Sequence, residues 1–179
     1  MITVYGSEHI TRREQAYDLL ARAVEDRWGL FPLPPITREE RGKPRFPGLP
    51  GYRFNLSHSG SLALCALGEE PVGTDIQTVS AHRPGLPEKI CSPSELDWLR
   101  RGNTWDRFTQ IWVLKEALGK YRGTGLTFPI RDMEIPIPAA GPGLYPMGRL
   151  WFRLYRGDGW YGAVCGENAP PEEIRWLTL

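Results

Sequence analysis

Long apolar runs are missing from this chain: the longest, Leu62 to Leu67, is six residues, far short of the ~20 that span a bilayer as a helix. No sign of charge dominates, with 22 Lys and Arg against 21 Asp and Glu for a net charge of +1, spread over both halves of the sequence. A broad nucleic-acid-binding surface is therefore not expected, although a few cations from distant segments can still converge on a small phosphorylated ligand. Cysteine is scarce as well. The three present, Cys65, Cys91 and Cys165, are odd in number and lack metal spacing, and no charged-then-apolar leader precedes them, so a reduced, cytoplasmic setting without a membrane is expected. No fixed-period repeat is visible.

What the chain has in quantity is punctuation and aromatics: 20 Gly, 17 Pro, seven Trp, seven Tyr and six Phe in 179 residues. Unperiodic Gly and Pro interleaved with large rings argue for a folded, loop-rich domain rather than disorder or collagen, of a size for one domain or two halves sharing a core. Thr11-Arg12-Arg13-Glu14 reads as a capping box ahead of Ala16, Tyr17, Leu20, Ala23, Val24 and Trp28 at helical spacing, with Gly29 as the stop. Thr37 to Glu40 carries the same pattern without an apolar stripe, so it reads as a loop or single turn. Arg53–Ser57, Ser61–Leu67 and Val72–Gln77 read as the strands of one small sheet. Ser92-Pro93-Ser94-Glu95 is a second capping box, and Thr104 can cap a longer helix ending at Gly123 and Gly125. Met133–Ile137, Arg149–Tyr155, Trp160–Cys165 and Ile174–Leu177 read as strands, with a hairpin turn at Gly157-Asp158-Gly159. Residues 78–90 and 138–148 read as connectors. The expected fold is α+β: two pseudo-symmetric halves, 1–77 and 78–179, each a long helix packed on a small antiparallel sheet.

Three segments carry polar groups that a core does not require. In Val72-Gly73-Thr74-Asp75-Ile76-Gln77, Asp75 is either a turn or capping residue or a hard oxygen ligand for Mg²⁺, which takes one or two carboxylates and keeps waters or phosphate oxygens. In Trp112 to Lys120, Glu116 and Lys120 share one helix face four residues apart, either as a surface ion pair or as a partly buried carboxylate and cation. In Phe54-Asn55-Leu56-Ser57-His58-Ser59, strand neighbours face opposite ways, so Ser57 and His58 cannot act together as nucleophile and base. His58 is either a structural residue or a donor to phosphate. Arg41-Gly42-Lys43-Pro44 is either a solvated basic turn or a phosphate clasp.

Taken in order, Gly42-Lys43-Pro44, then Phe54 to Gly60, then Val72 to Ile76, then Trp112 to Leu126 resemble the 4'-phosphopantetheinyl transferase superfamily, in particular its surfactin-synthetase-activating type; weaker likeness extends the match over most of residues 10–166. The resemblance implies transfer of the phosphopantetheine arm of coenzyme A to a serine of an acyl or peptidyl carrier protein, with Mg²⁺ as cofactor and adenosine 3',5'-bisphosphate released. It implies Asp75, Glu116 and Gln77 at the metal; Glu116, Lys120 and His58 in catalysis; and Arg13, Lys43, Ser57, His58, Lys115 and Lys120 on coenzyme A. Gln77 stands where many relatives of this type have an acid. A basic stretch that longer relatives carry before the first helix is largely missing.

A coenzyme A-binding module without turnover and a metal-dependent phosphohydrolase are the rival readings. Arg100, Arg101 and Arg107 suggest a basic docking surface for an acidic carrier helix, and two halves supplied by one chain suggest a monomer.

Overall fold

The computed structural model describes residues 1–40, 42–124 and 129–179. Four layers stack in the order helix, sheet, sheet, helix. The first sheet pairs β1 (Thr3–Ser7), β4 (Arg53–Ser59), β5 (Leu62–Gly68) and β10 (Arg175–Trp176) in the order β10-β1-β5-β4. The second pairs β6 (Val72–Thr78), β7 (Gly143–Met147), β8 (Leu150–Gly157) and β9 (Trp160–Gly166) in the order β6-β9-β8-β7. Helix α1 (Gln15–Trp28) covers the outer face of the first sheet and α4 (Thr104–Arg122) that of the second.

The side-chain period of two in a strand explains how so short an apolar run fills two cores. Along β5, Leu62, Leu64 and Ala66 enter the core between the sheets, while Ala63, Cys65 and Leu67 enter the core beneath α1. In β9, Trp160 and Val164 face the inter-sheet core, while Tyr161, Ala163 and Cys165 pack under α4. Both strands are buried throughout, so neither shows the polar alternation of a one-sided sheet.

Several expectations need correction. The segments read as one small sheet are divided: β4 and β5 belong to the first, whereas β6 is the edge of the second. A boundary after Gln77 therefore falls inside β6, and the last strand, β10, returns to the first sheet beside β1. The Thr11–Glu14 capping box does not form. Instead the Gln15 side chain accepts from the Thr11 and Arg12 backbone N–H groups at 2.7 and 3.1 Å. Asn103, rather than Thr104, caps α4, accepting from the Asp106 N–H at 3.2 Å. Residues 133–137 are not a strand, because Pro136 and Pro138 remove ladder donors. Thr37–Arg38 (β2) pairs with Pro44–Arg45 (β3) as a short ladder instead of forming a turn. β1, β7 and the short helix α2 (Leu86–Ile90) fall where no element was expected. Gly125 lies outside the described residues.

Other readings hold. Ser92 caps α3 (Pro93–Arg100) with both capping-box bonds present, and Gly29 and Gly123 end their helices in the left-handed region at φ of 66° and 69°.

A candidate coenzyme A and metal site at the seam of the two sheets

The site lies where two sheet edges meet without sharing a backbone ladder. Odd-numbered residues of β4 point towards β6 and supply the missing partners. Asn55 Oδ1 accepts from the Thr74 N–H at 2.8 Å, and Ser59 Oγ accepts from the Thr78 N–H at 3.1 Å. Between them the Ser57 hydroxyl donates to Asp75 Oδ1 at 2.6 Å. Edge donors that would otherwise be left unpaired are thus satisfied by side chains.

On the other side of β6, α4 approaches to backbone contact at Gly73. A Cβ there would lie 2.0 Å from the Ala117 carbonyl oxygen and 2.4 Å from the Tyr121 nitrogen, so only glycine allows the helix this close. The close approach brings one face of α4 to the carboxylate two residues further along the strand. Lys120 Nζ donates to Asp75 Oδ1 at 2.7 Å. Glu116, one turn earlier, has its carboxyl pushed up to about 7, first by burial and then by the negative charge of Asp75, with Lys120 opposing. Gln77 shares the Asp75 face of β6 and is half-buried.

Asp75 Oδ2 is buried without a hydrogen-bond partner among the described residues. A buried carboxylate oxygen left bare beside a second carboxylate is costly unless a cation serves both. Two carboxylates and an amide oxygen make a hard, all-oxygen donor set suited to Mg²⁺ completed by water or phosphate. Among the described residues no group of three or more His, Cys, Asp and Glu gathers as a metal site, so the donor set here has two carboxylates.

Beside this seam opens a cleft of about 240 Å³ lined by Arg13 in the turn before α1 and Tyr17 of α1, by Arg38, Lys43 and Pro44, by Leu56 and His58 on the outer face of β4, and by Lys120 and Gly123 at the end of α4. The β2–β3 hairpin, closed by the Arg38 guanidinium on the Gly42 carbonyl at 2.9 Å, presents Lys43 to the cleft. Lys43 Nζ donates to the Tyr121 carbonyl at 2.9 Å, and burial pulls its ammonium down to about 8. His58 is exposed at the rim. Lys120 belongs to both features, lining the cleft while holding Asp75.

Four expected ligands, Arg13, Lys43, His58 and Lys120, therefore converge from four parts of the chain. Two do not. Lys115 is fully buried on the far side of α4, paired with Glu95 Oε2 at 2.8 Å and donating to the carbonyls of Ile90, Ile130 and Arg131. It is a structural staple and is inaccessible to coenzyme A. Ser57 is buried and turned to Asp75, absent from the cleft lining. Arg107 is half-buried, donates to the Trp98 carbonyl and stacks 4.7 Å over the Trp98 ring. Arg38, Tyr17 and Asn55 were not anticipated. The alternation of Asn55, Ser57 and Ser59 was the available signal for the last.

The model of the 4'-phosphopantetheinyl transferase superfamily matches residues 71–159, from the start of β6 to the turn before β9. The 4'-phosphopantetheinyl transferase ffp of Bacillus subtilis is 32% identical over 152 residues, covering 80% of this chain and 68% of that protein. The chain belongs to the 4'-phosphopantetheinyl transferase superfamily. Within that superfamily it is also similar to the transferase Sfp of Bacillus subtilis strain 168, 29% identical over 90% of this chain and 77% of that protein. It is 40% identical to the transferase AcpT of Escherichia coli K12 over 52% of this chain and 51% of that protein. The chain thus spans between half and about three quarters of the length of these curated relatives of the superfamily.

Proposed function

We propose that this chain transfers the 4'-phosphopantetheine arm of coenzyme A to a serine hydroxyl of an acyl or peptidyl carrier protein, releasing adenosine 3',5'-bisphosphate. The observation that carries the proposal is the bare, buried Oδ2 of Asp75, a carboxylate close enough to raise the proton affinity of Glu116, beside a cleft lined by Arg13, Arg38, Lys43 and Lys120.

Asp75 and Glu116, with Gln77 on the same strand face, would hold Mg²⁺. Bound there, the ion would neutralise charge on the pyrophosphate oxygens. The protein's own groups do the rest. Arg13 and Lys43 bind and orient the phosphates of coenzyme A, with Tyr17 and Leu56 giving the cleft an apolar wall. The Glu116 carboxylate accepts the serine proton as the hydroxyl oxygen attacks the phosphorus bearing the arm. The bond from that phosphorus to the bisphosphate breaks, and Lys120 and His58 neutralise or protonate the departing oxygen. One chain supplies both walls of the cleft, so it acts as a monomer.

Among the described residues no helix is long and apolar enough to cross a membrane. The three free, buried thiols suit a reducing compartment such as the cytoplasm. The carrier docks through a surface that includes Arg100 and Arg101, which are exposed at the end of α3 beside Glu88 and Asp97.

The test is incubation of purified protein with coenzyme A, Mg²⁺ and a panel of apo carrier proteins, read by intact mass. Gain of one phosphopantetheine arm on the carrier serine is expected. Coenzyme A binding without any mass gain would instead identify a binding module, and release of inorganic phosphate from simple esters would identify a hydrolase.

A further inference from the structure

We propose that Ser57 is a positioning residue for the Asp75 carboxylate and not a ligand of coenzyme A, fixing which of the two carboxylate oxygens faces the metal. The inference rests on the reading of Asp75 as a cation ligand, and it concerns how that ligand is held.

A serine has one O–H to donate. In this structure that proton lies on Asp75 Oδ1 at 2.6 Å, in the short range of a hydroxyl-to-carboxylate bond. Ser57 is 8% exposed and does not line the cleft, whereas its neighbours Leu56 and His58 do. The strand's period of two turns Ser57 to the seam and Leu56 and His58 to the opposite face; Asn55, on the seam face, also borders the cleft, with its amide oxygen held by the Thr74 N–H. The serine cannot drift, because Asn55 and Ser59 on either side pin β4 to the Thr74 and Thr78 backbone of β6.

The same oxygen, Oδ1, also accepts Lys120 Nζ at 2.7 Å, while Oδ2 is buried with no partner among the described residues. Serine and lysine together occupy one oxygen and leave the other with its lone pairs free. The carboxylate torsion of an aspartate is intrinsically broad and roughly two-fold, so nothing in the side chain itself chooses between its oxygens. With the hydroxyl gone, Lys120 alone holds Oδ1 and the carboxylate can turn until both oxygens share the ammonium. A cation would then compete with Lys120 for both.

The experiment titrates Mn²⁺, as a spectroscopic stand-in for Mg²⁺, into the wild type, Ser57→Ala and Ser57→Thr, with free Mn²⁺ read by electron paramagnetic resonance and no carrier present. Coenzyme A binding is measured in parallel by calorimetry in chelator, and thermal melts confirm that each variant is folded. Ser57→Ala should weaken Mn²⁺ binding by about tenfold to a hundredfold while coenzyme A affinity stays within about twofold, and Ser57→Thr, which keeps the hydroxyl, should recover most of the loss. Unchanged Mn²⁺ affinity in Ser57→Ala, or a fall in coenzyme A affinity with Mn²⁺ untouched, overturns the role assigned to Ser57 while leaving the metal reading in place. A wild-type chain with no Mn²⁺ affinity overturns both.

Discussion

Two lysines five residues apart on α4 each meet a carboxylate, and the two pairs could hardly differ more. On the far side, Lys115 is fully buried and has Glu95 plus three backbone carbonyls as acceptors, while Glu95 also accepts from the Ser92 N–H of its capping box. Lys115 has more acceptors than its three protons can serve. On the near side, Lys120 is partly exposed and meets a single oxygen of Asp75, whose other oxygen is bare and whose neighbour Glu116 has a raised proton affinity. A saturated buried pair stabilises or specifies a fold; an unsaturated one beside a second carboxylate is poised to take a ligand.

The sharpest way to break this contrast is to remove each lysine. Lys115→Ala should cost about 3–5 kcal/mol of stability, seen as a large drop in melting temperature, because Glu95 is left buried and uncompensated. Lys120→Ala should cost clearly less stability than Lys115→Ala, because Lys120 is partly exposed and meets one carboxylate oxygen only, and should lower transfer to the carrier by about a hundredfold or more. Equal thermal losses in the two variants would erase the distinction. Gly73→Ala tests the approach that brings α4 to Asp75. Its methyl would stand 2.0 Å from the Ala117 carbonyl oxygen, so the helix must move, at about 3 kcal/mol or more by the measure of severe overpacking.

A subtler comparison sets Glu116 against its amide. Its carboxyl is raised from 4.5 to about 7, so the folded metal-free state holds the proton more tightly than the unfolded one. That contribution to stability is complete below about 4.5 and is lost as pH rises through about 7. Glu116→Gln cannot lose a proton, so the variant should match the wild type in acid and exceed it at pH 8 by ~2 kcal/mol after allowing for solvent screening, while transferring nothing. The smallest effect concerns Lys43. Burial lowers its ammonium to about 8, so KM for coenzyme A should climb severalfold as pH rises past that value and the charge is lost, a limb that Lys43→Met should flatten.

The motif residues were readable in order along the sequence, and so were the helix that carries Glu116 and the hairpin that ends at Trp160, because capping residues, glycine stops and chemical type are local properties. The division of strands between two sheets was not. Arg53–Ser59, Leu62–Gly68 and Val72–Thr78 follow one another through short turns, and only the burial of both faces of β5 and the Gly73 contact with α4 send β6 to the other sheet. Lys115 misled for the same reason: it adjoins Glu116 in sequence, but one step along a helix turns a side chain by about 100°, which carries it from the site to the opposite core. Ser57 and His58 are separated by the corresponding rule for strands.

The central claim is that Asp75 and Glu116, from a strand of one element and a helix packed against it, hold a single divalent ion. Mn²⁺ titration of the wild type, Asp75→Asn and Glu116→Gln, at pH 8 with coenzyme A present, tests it directly. One ion per chain in the wild type, with affinity lost in each variant and the fold retained in both, is the result predicted here; retained affinity in either variant would contradict it.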